Sequence, residues 1–179
     1  MPSRTSPEEG GGVHLSSFTG YANAATPRIP PNPTTPRSLF NNIVQPSQLP
    51  VGADMHLFRD GIAPKWEDAA FKHGDEQRGG KWTVIVKDRR LLDEHWLSCL
   101  LALVGEQFAD PEEIAGVVVS VRGKQAKLCL WTRTETNQAV QTKIAMQLKS
   151  VLDLGENERL TYQSFKDEMD GERRDLYIV

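Results

Sequence analysis

The stretch GVVVSVRGKQAKLCLWT, residues 116–132, places the strongest constraint on the fold of this chain. Two runs rich in β-branched and apolar residues flank a short polar loop, a pattern that predicts a β-hairpin. Successive side chains of a strand point to opposite faces of the sheet, and paired residues share a face. We predict that Arg122 pairs with Lys127 across the loop, which places Val118 opposite Trp131.

This register sorts the side chains of the hairpin into two faces. The apolar face is expected to pack against helices, and its members are Val117, Val119, Val121, Leu128 and Leu130. The other face carries Arg122, Lys127 and Trp131, and Lys124 extends from the loop on the same side. Cations beside a flat indole are typical of a site for an anionic ligand with a flat ring, such as a nucleotide. A solvated strand face with a partly covered tryptophan is the alternative, and a slipped register would scatter the set.

The rest of the chain predicts an α+β fold, an antiparallel sheet backed by helices, because strands and helices alternate without a repeated βαβ pattern. Strands are predicted in KWTVIVK (81–87), RLTYQSF (159–165) and DLYIV (175–179). Apolar residues at helical spacing predict an amphipathic helix over about 91–107. A second helix is predicted over 136–155, with Thr136 as its N-cap and Gly155 near its C-terminus.

Composition divides the chain into two parts. Nine of the eleven prolines lie in the first fifty residues, so residues 1–37 are predicted to be a disordered tail and residues 38–179 a folded domain. The net charge of −3 excludes a global basic field, so any nucleic-acid contact must be local. The sequence shows neither an apolar signal core nor a run of about 18 apolar residues. We therefore expect no membrane partner and a cytoplasmic location, with the nucleus as an open possibility.

The stretch DGIAPKWED, residues 60–68, places a tryptophan and a carboxylate in a polar loop. A carboxylate such as Glu67 can accept both the ring N–H and the exocyclic amine of guanine, which selects guanine over adenine. If the base is methylated on its imidazole ring it is cationic, and the face of Trp66 then gains cation–π energy. The alternative is a loop tryptophan that seals the end of the sheet beside solvated acids.

Arrangements typical of enzymes or metal sites lack support. Cys99 and Cys129 lie in apolar segments and are expected to be reduced core residues. His95 stands four residues before Cys99, a spacing of metal ligands, but packing explains such isolated pairs more often. Because no catalytic triad or paired-carboxylate arrangement has supporting context, we expect a protein that is not an enzyme, with no cofactor and no metal.

Several motifs together resemble the translation initiation factor 4E family, the proteins that bind the 7-methylguanosine cap of messenger RNA. They are LFRDGIAPKWEDAAF with RGGKWTV, HWLSCLLALVGEQF, IAGVVVSVRGKQAKLCLWT and DLYIV, in the family's order over residues 38–179. The resemblance implies a curved antiparallel sheet with helices on its convex face and the cap on the concave side. It also implies a role in protein biosynthesis and its regulation, with capped mRNA as the ligand.

The resemblance assigns roles to individual residues. Trp66 matches a tryptophan that stacks on the methylated base, Glu67 the glutamate that accepts the guanine donors, and Trp131 the tryptophan that touches the methyl group. The residues that match the family's phosphate-binding cations are Arg122, Lys124 and Lys127. The matches to the helix that binds factor 4G and the 4E-binding repressors are Trp96, Leu97, Leu101 and Gly105. Ser98 replaces the family's glutamate beside that leucine.

The segment that supplies the family's second stacking tryptophan and first strands has no match, and Arg37 occupies the place of a dorsal tryptophan. The resemblance is therefore to a member whose N-terminal part is missing or replaced, and we expect weak cap binding. The rival interpretation is a truncated interaction protein that binds no cap but contacts factor 4G or 4E-binding proteins through its dorsal helix. The loop KDEMDGERR has no serine, so regulation by phosphorylation there is not expected.

Overall fold

The computed structural model describes residues 44–73, 77–135, 137–172 and 174–179. The predicted tail, residues 1–37, lies outside the described residues, and so does Thr136. The boundary predicted between residues 37 and 38 therefore stays a prediction.

The described residues form a curved antiparallel sheet and three α-helices, which confirms the predicted α+β class. Its six strands are β1 (Asp54–Phe58), β4 (Gly80–Val86), β5 (Ile114–Val121), β6 (Ala126–Thr132), β7 (Thr161–Ser164) and β8 (Tyr177–Ile178). They lie in the order β1-β5-β6-β4-β7-β8. A separate two-stranded sheet pairs β2 (Lys72–His73) with β3 (Gln77–Arg78). The helices are α1 (Leu92–Val104), α2 (Gln138–Val151) and α3 (Phe165–Met169).

The register of the β5–β6 hairpin differs from the prediction by two residues. Lys127 pairs with Ser120 rather than with Arg122, and Trp131 lies opposite Gly116. Arg122 instead begins the loop, where its backbone N–H donates to the Gln125 carbonyl at 3.0 Å. Because side chains alternate with a period of two, a shift of two residues leaves every side chain on its predicted face.

The apolar face of the hairpin forms the core with α1 and α2, as predicted. Every predicted member is at most 1 % exposed: Val117, Val119, Val121, Leu128 and Leu130. Both cysteines are free and buried, as expected. The Trp82 indole N–H donates to Gln141 Oε1 at 3.0 Å, and Gln141 Nε2 donates to the Thr134 carbonyl at 2.7 Å. This buried polar pair is thus satisfied while it links β4 to α2.

The ends of α2 differ in detail from the sequence prediction. Its N-cap is Asn137, whose Oδ1 accepts the Val140 N–H at 3.2 Å. After the helix ends, the residue with positive φ is Asp153 (φ 50°), two positions before the predicted Gly155. A left-handed residue commonly terminates a helix, and here an aspartate takes the position that glycine usually holds.

The C-terminal strands are shorter than predicted. The strand predicted over 159–165 ends at Ser164, and the chain turns at once into α3, with the Ser164 hydroxyl accepting the Lys166 N–H at 3.0 Å. A serine that caps the following backbone favours the start of a helix at this point. Helix α3 therefore occupies part of the segment that the charge pattern marks as a surface loop.

Candidate functional site

A pocket of about 280 Å³ lies on the sheet face opposite α1 and α2. The residues that line this cationic pocket are Lys81, Thr83, Ser120, Arg122, Lys127, Cys129, Gln163 and Glu168. Two of its cations, Arg122 and Lys127, were predicted to share a face, and the structure brings them together. Three positive side chains and one carboxylate make this face suited to an anionic ligand.

Lys81 is a member of the pocket that the sequence analysis missed. It pairs with Trp131 across the β4–β6 ladder, so the two side chains share a face. The alternation in KWTVIVK indicates that Lys81 and Thr83 share one face of the strand and that Trp82, which is fully buried, lies on the other. Without the β4–β6 register, however, that face could not be assigned to the pocket.

Trp131 stands in an aromatic cluster that consists of Phe58, Phe71, Phe165 and Trp131 itself. The centroid of its ring lies 5.3 Å from that of Phe58, 5.4 Å from that of Phe71 and 4.5 Å from that of Phe165. The indole is half-buried, so part of it remains accessible. Tilted and edge-to-face contacts of this kind orient an aromatic ring, and Trp131 is thereby held against the sheet.

Arg122 is fixed at the rim of the pocket by contacts to the edge strand. Its Nη2 lies 2.9 Å from Asp54 Oδ1, and its Nη1 donates to the carbonyls of Ala53 at 3.3 Å and Val121 at 3.0 Å. The guanidinium thus keeps a defined position although about half of the side chain is exposed. Lys124 and Lys127 are both exposed, and within the described part of the chain neither forms an ion pair.

The floor of the pocket is uncharged. Burial raises the pKa of the Cys129 thiol, against a smaller lowering by its hydrogen bond with Thr83 and by the nearby Lys81 and Lys127. The Thr83 hydroxyl lies 3.6 Å from Cys129 Sγ. The thiol is therefore neutral at physiological pH, and it adds no negative charge that would repel an anion.

The loop that carries Trp66 and Glu67 is tied to the aromatic cluster at both ends. Ile62 near its start and Phe71 at its end pack in the same hydrophobic cluster as Trp131. Between them, the carboxylate of Asp68 accepts the N–H groups of Ala63 at 3.1 Å and Ala70 at 2.9 Å. These contacts brace the backbone of a loop that lacks regular strand pairing.

Within this braced loop, Trp66 is 37 % exposed and Glu67 is exposed. Part of the Trp66 indole is therefore accessible to solvent, while the rest is covered by the protein. Both side chains are accessible to a ligand, and their assignment to a base-binding site stays a prediction.

Helix α1 presents only part of the residues assigned to a partner. Leu101 is 45 % exposed, Leu97 is half-buried, and Gly105 is exposed where the helix ends. Trp96 is 1 % exposed and packs in the core, so it cannot form part of that surface in this structure. Two apolar rows run along α1, and the row that contains Trp96 and Leu100 faces the sheet.

Other site classes find no support in the described ranges. No group of three or more His, Cys, Asp and Glu side chains there could hold a metal ion. No helix in the same ranges combines the length and apolar character that a membrane crossing requires.

The family model described as Eukaryotic initiation factor 4E matches residues 37–176 of the chain. The chain belongs to the initiation factor 4E family.

Curated members of the 4E family are similar to this chain over three quarters of its length. Eukaryotic translation initiation factor isoform 4E of Capsicum annuum is 48 % identical over 136 residues, which cover 76 % of this chain and 63 % of that protein. Isoform 4E-2 of Oryza sativa subsp. japonica is 45 % identical over 135 residues, 75 % of this chain and 62 % of that protein. The chain thus spans less than two thirds of the length of these relatives.

Solved structures of the 4E family have the same fold. The C. elegans eIF4E-3 complex with the 4E-binding protein Mextli and a cap analog has a TM-score of 0.71 at 39 % identity, covering 79 % of this chain and 78 % of that one. The Ascaris suum eIF4E-3 complex with the m7G cap has a TM-score of 0.69 at 37 % identity, covering 80 % of this chain and 77 % of that one.

Proposed function

We propose that this chain binds the 7-methylguanosine 5′ cap of mRNA and acts in translation initiation in the cytoplasm, as a binding protein rather than an enzyme. One observation carries the proposal: exposed Trp66 and Glu67 stand on a loop anchored to the cluster around Trp131, on the sheet face that also holds the cationic pocket. The cap ligands in the C. elegans and Ascaris suum complexes support it.

Base recognition falls to the braced loop and the aromatic cluster. Trp66 offers an accessible indole face for a cationic methylated purine, and Glu67 accepts the two parallel donors of the guanine edge. Trp131, held by three phenylalanines, offers an edge of fixed orientation for contact with the methyl group. The loop hydrogen bonds to Asp68 reduce the ordering that binding would otherwise require.

The phosphates would lie in the cationic pocket. Arg122, fixed by Asp54, and Lys127 face it, and Lys81 lines it between β6 and β7. Lys124, exposed in the loop after β5, extends the positive surface beyond the pocket. Cationic side chains around a triphosphate form charge-assisted hydrogen bonds, which are stronger than neutral ones.

We propose that this 179-residue chain binds the cap more weakly than a protein that encloses the base between two indoles. Of its four tryptophans, Trp82 and Trp96 are buried and Trp131 is packed among phenylalanines, which leaves Trp66 as the exposed stacking surface. Loss of one stacking plane costs about 1–3 kcal/mol. That energy corresponds to a dissociation constant that is higher by a factor of about five to 150.

A fluorescence titration tests the proposal. Addition of 7-methyl-GTP should quench tryptophan emission, because the ligand stacks on Trp66, and unmethylated GTP should quench less because its base carries no positive charge. Glu67→Gln should abolish the response, since an amide cannot accept both guanine donors. The matched control is Glu94→Gln, which removes one charge from the exposed side of α1 and should leave the titration unchanged. Equal quenching by ATP, or an unaffected Glu67→Gln variant, would refute the proposed recognition.

A second candidate function is docking of a 4E-binding protein on α1 without cap binding. Apolar side chains exposed along and before this helix favour it: Leu91 is 44 % exposed, Leu101 45 % and Val104 38 %. Such surfaces commonly receive an amphipathic helix of a partner. The Mextli complex of C. elegans eIF4E-3 supports this candidate, and factor 4G would be a partner of the same kind.

Retention of a 4E-binding peptide on the immobilised chain tests this second candidate. Leu101→Ala should weaken retention, whereas Met146→Ala should not, although Met146 on α2 is an apolar side chain that is even more exposed, at 58 % against 45 %. Peptide retention together with an absence of quenching by 7-methyl-GTP would favour the second candidate over the first. Loss of retention in both variants alike would argue against a specific surface on α1.

A further inference from the structure

The cationic pocket contains its own counter-ion. Lys81 Nζ lies 2.7 Å from Glu168 Oε1 and 2.9 Å from Oε2, so both carboxylate oxygens accept from the same ammonium group. The Lys81 side chain is only 17 % exposed, and its Nζ also lies 5.9 Å from the centroid of the Phe165 ring. Glu168 and Phe165 of α3 thus cover Lys81, and an anion that enters the pocket finds Lys81 already paired with Glu168.

Helix α3 is held in place while the Glu168 side chain remains able to move. Phe165 is fully buried in the aromatic cluster, and Asp167 accepts from Arg174 at 3.0 and 3.1 Å. The backbone just before Glu168 is therefore anchored at two residues. The Glu168 side chain is itself 40 % exposed. A change of rotamer can therefore move its carboxylate away from Lys81 and into hydrogen bonds with water.

We propose that Glu168 is a specificity-determining residue, which lowers the affinity of the pocket for phosphate chains as such and thereby makes binding depend on the base. This inference rests on the proposed cap-binding function. A phosphate chain must either displace Glu168 from Lys81 or lie beside a carboxylate that already takes up the charge of Lys81. The repulsion grows with the number of phosphate charges, whereas the contacts of the base at Trp66 and Glu67 are unaffected.

The experiment compares Glu168→Gln with the unmodified chain across ligands of increasing charge. We expect the affinity for 7-methyl-GTP and for inorganic tripolyphosphate to rise by about three- to tenfold, because a partly exposed charge contributes modestly. The gain should be about twofold for 7-methyl-GMP, and the nucleoside 7-methylguanosine should show none. Isothermal titration calorimetry at two salt concentrations measures each constant, and the gain should shrink at high salt.

Glu172→Gln is the matched control. Glu172 lies on the same C-terminal segment and pairs at 3.8 Å with Arg174, and it is not among the residues that line the cationic pocket. Glu172→Gln removes one negative charge, as Glu168→Gln does. An equal gain in ligand affinity in both variants would mean that the effect comes from net charge alone, and it would overturn the inference. An unchanged tripolyphosphate affinity in Glu168→Gln would overturn it as well.

The outcomes separate this inference from the proposed function. If neither protein binds 7-methylguanosine, and neither binds 7-methyl-GTP more tightly than tripolyphosphate, the proposed function fails. The effect of Glu168 on phosphate affinity still stands in that case if Glu168→Gln gains affinity for tripolyphosphate. If the unmodified chain binds 7-methyl-GTP but Glu168→Gln gains no affinity for any ligand of the series, the proposed function stands and the inference about Glu168 fails. Thermal unfolding of each variant confirms that it is folded.

Discussion

Replacement of Trp131 by alanine should lower the free energy of unfolding, because the Trp131 indole is part of the packed aromatic cluster as well as a proposed ligand contact. The indole packs against Phe58, Phe71 and Phe165 at centroid distances of 5.3, 5.4 and 4.5 Å. Truncation of a core tryptophan to alanine costs about 3–5 kcal/mol, and each aromatic contact accounts for about 0.5–1.5 kcal/mol beyond area burial. Because Trp131 is half-buried, we expect a loss near the lower limit, about 3 kcal/mol in the free energy of unfolding.

Urea unfolding followed by far-ultraviolet circular dichroism measures this loss. The matched control is Trp66→Ala, which truncates an indole that is 37 % exposed on a loop and should change the free energy of unfolding by less than about 0.5 kcal/mol. Trp131→Phe should recover most of the stability, because a smaller ring still meets the three phenylalanines. Ligand titrations on the same variants should show that Trp66→Ala loses binding of 7-methyl-GTP without loss of stability.

A loss of less than about 0.5 kcal/mol in Trp131→Ala, the same as that expected for Trp66→Ala, would refute the reasoning. It would mean that the aromatic cluster does not depend on Trp131, so the orientation of the indole would not be set by packing. A loss of about 3 kcal/mol in both variants would contradict the exposed position of Trp66 instead.

Three further predictions follow from particular contacts. Asp68→Ala should weaken binding of 7-methyl-GTP more than it lowers the melting temperature, because the carboxylate braces the loop at Ala63 and Ala70; equal binding in a calorimetric titration would contradict this role. Asp153→Gly should raise the free energy of unfolding by up to about 1 kcal/mol in urea, since glycine adopts the positive φ of 50° without strain. Burial raises the pKa of the Cys99 thiol from 9.0 to about 12, so its contribution to stability is complete below pH 9 and is lost as the pH rises towards 12. Cys99→Ala should therefore show a shallower decline in unfolding free energy over that range, and an identical decline would contradict the assignment.

The faces of the central hairpin could be predicted from the sequence because they depend only on alternation along a strand. A pairing error of two residues moved the partner of Lys127 from Arg122 to Ser120 and still left the cations and Trp131 on one face. For the loop of Trp66 and Glu67, in contrast, the sequence left open whether the indole packs or is accessible, because no alternation assigns a loop residue to a face.

Contacts between distant segments could not be predicted. The aromatic cluster joins Phe58, Phe71, Trp131 and Phe165, which come from four separate parts of the chain. Helix α1 carries two apolar rows, and periodicity alone does not say which of them faces the sheet. The family resemblance assigns Trp96 to a partner surface, whereas the structure places it in the core.

The sequence by itself determined the alternating and helical patterns, and with them the α+β class and the face on which each hairpin side chain lies, because these depend on the geometry of a few consecutive residues. Only the tertiary structure decided that Lys81 meets Glu168, 87 positions away, and that α1 buries Trp96 while Leu101 stays exposed. Such choices depend on how whole elements pack, because the fold must fill one core with side chains from all of them.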